Sequence, residues 1–263
     1  MIVKNRHRNV LSFLVIASFL ALAVGSSETP EQKKAREAKE VAVKETLALY
    51  MKTLATIDAK VKTLDTASLN SVACDAKAML GKVTEEKRKR GLRLHVAYAP
   101  FLERFSSNDK AAWQEDKSPW AWVSDFTWKG HFERPMAERD AYSINSTAET
   151  MRDMFVANRY MIVVVPASKD ANRLPKIPKA GDFTSGEFHG WAVVFDQTDA
   201  TVACQYRIDA ENSNSVEFKT RGLMKEEPDK AILKDFQDNF EDALEKGLPK
   251  GISLGTGYGK ILK

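Results

Sequence analysis

The chain has 263 residues, of which 43% are hydrophobic and 29% are charged, and its net charge at pH 7 is +4. A chain of this length can bury a full hydrophobic core, as one large domain or two small ones. Three basic residues and no acidic residue precede residue 26, so the remainder carries 37 basic and 36 acidic side chains. Nucleic-acid binding needs a concentrated positive field, and this near-neutral balance predicts no nucleic-acid partner.

Residues 1–25 have the pattern of a secretory signal peptide. A basic start is followed by an apolar stretch from Val10 to Val24, and small residues come after it. A spanning helix needs about 20 apolar residues, and this stretch is shorter, so we expect cleavage and a secreted or periplasmic protein. The alternative is an uncleaved N-terminal segment that anchors the same protein to a membrane.

A long helix is predicted from Pro30 to about Leu64. Thr29 can cap it, Pro30 suits its first position, and Gln32 completes a capping box. Seven apolar residues then recur at spacings of four and three, which places them on one stripe of the helix. These residues are Val43, Leu47, Tyr50, Leu54, Ile57, Val61 and Leu64.

The stripe has two interpretations. It can be a coiled-coil seam that binds a protein partner, or the inner face of a helix that packs on its own domain. Convincing coiled coils sustain three to four heptads, and this stripe is at the short end of that range. The candidate partner-binding residues are Leu47, Tyr50, Leu54, Ile57 and Val61.

A second helical stretch is predicted over residues 72–90, ending at Gly91. We expect the two helices to form an antiparallel hairpin that occupies residues 26–91. The chain has two cysteines, Cys74 and Cys204, and an even count in an exported protein suggests a disulfide. The alternative is two separate buried thiols, because spacing alone does not give the distance between their Cα atoms.

Residues 92–142 form an aromatic-rich connector for which we predict irregular structure. Flat aromatic rings suit sugars and other apolar ligand faces, so this segment is a candidate site for a glycan or small ligand. The alternative is that the rings fill the core, since Trp is highly buried on average. The segment contains four of the five tryptophans: Trp113, Trp120, Trp122 and Trp128.

Residues 143–263 are predicted to form an α+β domain. A capping box at residues 146–149 starts a helix to about residue 158, and a compact apolar strand follows over residues 160–165. Residues 188–195 and 201–209 read as an antiparallel hairpin, and residues 228–246 as a last helix. The whole chain is thus predicted to be α+β: a helical hairpin, then a small antiparallel sheet with flanking helices.

The strand segments carry a resemblance. Residues 159–165, 190–196 and 210–213 together resemble a pattern found in an uncharacterised family of exported bacterial proteins. The resemblance covers about residues 147–213. It implies an antiparallel sheet and no known activity.

No catalytic, metal or cofactor motif stands out. The histidines after the signal segment, His95, His131 and His189, have no partner at metal-ligand spacing, and no nucleophile elbow is present. We therefore predict a non-enzymatic protein-binding or envelope-associated factor with no cofactor. Glycan or small-ligand binding is the alternative, and a hydrolase whose site is assembled only by folding is a third hypothesis.

Overall fold

A computed structural model describes residues 29–100, 102, 120–123, 158–168, 172–176, 183–217 and 227–255. Leu47 is described by its backbone alone. The predicted signal peptide, the helix predicted over residues 146–158 up to its last residue, and the glycine-rich residues after 255 lie outside these ranges. So do three residues singled out above: Trp113, Trp128 and His131.

The first helix, α1, extends from Pro30 to Lys62. Its predicted capping box is present: the Thr29 hydroxyl accepts from the Gln32 amide at 3.2 Å, and the Gln32 side chain accepts from the Thr29 amide at 2.9 Å. These two bonds satisfy N–H groups that a helix start leaves without a partner. At the other end, the amide of Thr63 donates to the carbonyl of Lys60.

The second helical stretch is broken into two short helices, α2 (Ala76–Gly81) and α3 (Glu85–Arg90). Thr84 causes the break, because its hydroxyl caps a new helix by accepting from the Lys87 amide. The predicted antiparallel hairpin is wrong. Met79 belongs to a different core cluster from the stripe of α1, so the two elements serve opposite faces of a sheet.

In the described ranges the sheet has five strands: β1 (Leu92–Tyr98), β2 (Tyr160–Pro166), β3 (Glu187–Asp196), β4 (Thr201–Glu211) and β5 (Ile252–Leu254). Their order across the sheet is β4-β3-β2-β1-β5. Strand β1 is parallel to both of its neighbours, whereas β3 is antiparallel to β2 and to β4. The predicted β3–β4 hairpin is therefore confirmed, but the prediction of a small antiparallel sheet is wrong, because the sheet is mixed.

Side chains alternate between two cores along these strands, as the pleat requires. In β2, Ile162 and Val164 face a core closed by α4 (Pro228–Lys246) and by Met79, whereas Met161 and Val163 face α1. Every residue of β2 before Pro166 is buried. Helices thus cover both faces of the sheet, and the predicted α+β class is confirmed.

Residues 65–91 pass from the face covered by α1 to the opposite face around the outer side of β4. On the way, Val72 and Gln205 exchange two backbone hydrogen bonds, of 2.7 and 3.1 Å. The predicted disulfide between Cys74 and Cys204 is formed, with the two Cα atoms 4.9 Å apart. The crossing segment is therefore fixed to β4 covalently as well as by hydrogen bonds. Among the helices of the described ranges, none is long and apolar enough to cross a bilayer.

Candidate functional site

Four of the five predicted partner-binding residues of α1 lie in the core. Tyr50, Leu54, Ile57 and Val61 are at most 8% exposed, and they share a cluster with the inner side chains of β2 and β3. These four residues therefore make contacts inside the chain, as in the second interpretation of the stripe. A different side of α1 carries apolar residues in solvent: Val41 is 54% exposed and Leu49 is 66% exposed.

Of the four tryptophans proposed for ligand binding, Trp120 and Trp122 are described. Both are half-buried and pack over the core that α4 closes. The Trp122 ring lies edge-on to Phe240 with centroids 5.2 Å apart, and Trp120 stacks with Tyr98 at 6.1 Å. Edge-on and offset contacts of this kind stabilise aromatic clusters. The two rings thus pack on this core, and the indole nitrogen of Trp122 is buried without a hydrogen-bond partner.

Of the three histidines named in the sequence analysis, His189 lies beside a carboxylate. His189 on β3 stands directly opposite Asp209 on β4, and its Nδ1 is 2.7 Å from Asp209 Oδ1. The other carboxylate oxygen of Asp209 accepts from Arg207 Nε at 2.9 Å. Burial acts to raise the pKa of Asp209, but the hydrogen bonds and charges of Arg207 and His189 outweigh it and lower this pKa. The three side chains form a linked, solvent-facing row, which we call the histidine row.

The histidine row has the arrangement of an acid–base pair. A carboxylate that holds Nδ1 orients the imidazole and leaves Nε2 as the nitrogen for proton transfer. A cross-strand pair of opposite charges on a sheet surface has the same geometry and serves stability alone. The backbone amide of His189 also donates to Asn172 Oδ1 at 2.7 Å, which fixes the position of the strand.

A second polar group lies where β2 begins and β3 ends. Four of the seven polar residues buried in the described ranges gather there: His95, Asn158, Asp196 and Gln197. Asn158 Nδ2 is 3.2 Å from His95 Nε2, and the amide of Gln197 donates to the carbonyl of Arg159. Asn158 Oδ1 and Gln197 Oε1 are buried without a hydrogen-bond partner. We call this group the polar strand end.

An ion pair anchors the polar strand end. Arg159 Nε donates to both oxygens of Asp196, at 3.0 and 2.9 Å, and Lys82 Nζ is 3.6 Å from the same carboxylate. The hydrogen bond to Asp196 raises the pKa of Arg159, against the opposing effect of burial. Arg159 has φ of +50°, a left-handed conformation that costs energy for a residue with a side chain. The geometry of this ion pair indicates a clamp that joins β2, β3 and the crossing segment.

Sequence reasoning missed both polar groups. Arg159 directly precedes the apolar strand β2, and Asp196 is the last residue of β3. Antiparallel pairing of these two strands, had it been assumed, would have predicted that Arg159 and Asp196 lie side by side. His189 and Asp209 alternate with buried residues in the same way on β3 and β4. His95 lies in a segment predicted to be irregular and is paired with Asn158, away from His189. In the described ranges, no group of three or more His, Cys, Asp or Glu side chains is arranged to hold a metal ion.

Comparison with known proteins adds no identity. No family model, no curated protein and no solved structure matches the chain. The resemblance of residues 147–213 to exported bacterial proteins therefore stays a prediction.

Proposed function

We propose that this chain is an exported, non-enzymatic factor that binds another protein through the solvent-facing side of α1. The signal-peptide pattern of residues 1–25 supports export to the periplasm or the medium. The Cys74–Cys204 disulfide supports it too, because such bonds persist mainly in oxidising compartments. An uncleaved anchor would leave the same binding surface outside the cytoplasm.

The observation that carries the proposal is the exposure of Val41 and Leu49. Residues eight apart on an α-helix are separated by about 80° around its axis, so both side chains belong to one side. Single exposed apolar residues are common on protein surfaces. Two on one side of a helix, each more than half exposed, give the spaced anchors by which a helix occupies a partner's groove.

The test is recovery of the native protein from its cell envelope or medium by cross-linking and affinity capture, followed by mass spectrometry. The variant with Val41→Lys and Leu49→Lys should lose the specific partner while its thermal unfolding is unchanged. Val202→Lys is the matched control, because Val202 is 42% exposed but lies on β4. Recovery of the same partner with the α1 variant would contradict the proposal.

The hydrolase hypothesis is the second candidate, and the histidine row is the observation that favours it. Purified protein would be assayed against chromogenic esters, phosphates and glycosides. If His189 acts as general base, His189→Ala should lower turnover by about 100-fold or more without changing the melting temperature. Equal turnover of the variant and the parent protein would assign the row to stability alone.

The glycan-binding alternative now depends on Trp113 and Trp128. Its test is a change in tryptophan emission on titration with envelope glycans, and Trp113→Ala and Trp128→Ala should each reduce that change. Trp120 and Trp122 are unsuitable for this test, because removing them disturbs the aromatic cluster over the core.

A further inference from the structure

Strand β4 is the outermost of the described strands, and no described residue pairs with part of its outer edge. Gln205 exchanges both backbone bonds with Val72, so its N–H and C=O point away from β3. Directions alternate along an antiparallel strand, and the backbone groups of Arg207 and Asp209 therefore also point outward. Within the described ranges, these groups have no backbone partner on that side.

The open stretch is bounded at both ends. Val72 occupies the edge at Gln205, and at the far end the Asn239 side chain donates to the carbonyl of Glu211 at 2.8 Å. Residues 206–210 remain between these contacts. An uncovered run of outward N–H and C=O groups is a template for one more strand.

We propose that residues 206–210 pair antiparallel with the same residues of a second copy of this chain, about a two-fold axis at Ile208. That register places Arg207 of each copy opposite Asp209 of the other, with two outward-facing backbones able to exchange four hydrogen bonds. Arg207 and Asp209 are 62% and 48% exposed, so both side chains can exchange their ion pair within one chain for one across the interface. Opposite charges at directly facing positions stabilise a strand pair.

Charge order and strand length favour a second copy over an unrelated peptide. The order Arg-Ile-Asp is self-complementary when two such strands run antiparallel, which is the requirement of a two-fold interface. In this register Glu211 of the second copy comes level with Gln205, where Val72 already occupies the edge. Strand β4 ends at Glu211, so the length of the strand matches the length of the open stretch. Five residues form a small contact, so the dimer should be weak and sensitive to salt.

The test is the dimer dissociation constant of the full protein, measured by sedimentation at increasing concentration. Arg207→Asp and Asp209→Arg each place like charges opposite each other and should raise this constant at least about tenfold. The double variant restores complementary charges in reversed order and should recover most of the loss. Because Arg207 and Asp209 also form an ion pair within one chain, which the exchange restores as well, circular dichroism and thermal unfolding of each variant separate an effect on pairing from an effect on folding.

Three results would overturn the proposal: a parent protein that is monomeric at every attainable concentration, a dimer insensitive to the single reversals, or a double variant no better than the singles. The Val41→Lys and Leu49→Lys variant should leave the dimer intact. Failure of self-association is therefore distinguishable from failure of partner binding through α1.

Discussion

Asp196 gathers contacts from its own turn and from two distant parts of the chain. Its carboxylate is 1% exposed and is held by Arg159, by Lys82 and by the amide of Thr198 at 3.0 Å. A buried carboxylate is tolerated when it is paired and hydrogen-bonded in this way. Removing its charge leaves the guanidinium of Arg159 without its partner, although Arg159 is itself about a quarter exposed to water.

We expect Asp196→Asn to lower the free energy of unfolding by about 1–3 kcal/mol, less than for a fully buried pair because water reaches Arg159. Urea denaturation would measure the change. Asp199→Asn is the control: Asp199 is exposed and accepts locally from Thr201, so its loss should cost less than about 1 kcal/mol. Equal effects of both substitutions would show that Asp196 is not a clamp.

Glu241 gives the described structure a dependence on pH. Burial raises its pKa from 4.5 to about 7, and neighbouring carboxylates add to the effect. One of its oxygens is buried without a hydrogen-bond partner. Between about pH 4.5 and 7 the folded protein keeps a proton that the unfolded chain has lost. The free energy of unfolding therefore decreases as the pH rises through this window. The contributing carboxylates are those of Asp238, Glu245 and Asp242.

Glu241→Gln should therefore stabilise the protein above pH 7 by about 1 kcal/mol, a value reduced for solvent screening. Below about pH 4.5 the variant and the parent should have the same stability, because Glu241 is then protonated in both the folded and the unfolded chain. Thermal unfolding at pH 4 and pH 8 measures the difference. A stability gain that is the same at both pH values would exclude titration of Glu241 as the cause.

At the scale of elements, α1 shows what periodicity can and cannot decide. The stripe located the helix and its apolar face correctly, because burial of one face imposes the spacing of three and four. The same spacing is produced by a partner helix or by a sheet, so it did not identify what covers the face. The missed strand β1 carries alternating apolar residues at Leu92, Leu94 and Val96, but the surrounding aromatic and proline-rich segment obscured them.

Substitutions on the two sides of α1 should differ in effect. Leu54 is fully buried between α1 and the sheet, so Leu54→Ala should cost about 2–5 kcal/mol of stability. Leu49→Ala removes the same atoms from a side chain that is 66% exposed and should change stability by less than about 0.5 kcal/mol. Chemical denaturation of both variants is the measurement, and similar losses would contradict the packing described for α1.

At the scale of the whole molecule, the disulfide ties the crossing segment to the edge of the sheet. It joins residues separated by 130 positions, and Cys204 is fully buried. The cysteine count predicted this bond, but no sequence rule predicted that it would hold a segment passing between two faces. The parallel pairing of β1 was also beyond prediction, since its partners β2 and β5 are distant in the chain and leave no local signal.

Replacing both cysteines, as Cys74→Ala with Cys204→Ala, should lower the free energy of unfolding by about 2–5 kcal/mol. Urea denaturation of the variant would show the loss, and the parent protein treated with a reductant should shift by a similar amount. An unchanged midpoint in both experiments would mean that hydrogen bonds alone, such as those of Val72, hold the crossing segment.

Strand β1 pairs on one side with β2 and on the other with β5, which lies more than 150 residues further along the chain. A polypeptide made or delivered from its amino end therefore presents Leu92 and Leu94 long before their partners Ile252 and Leu254 follow. Until residue 254 arrives, that side of β1 stays uncovered, and contacts between distant residues form slowly in any case. Completion of this sheet is thus timed by the arrival of its last and shortest strand.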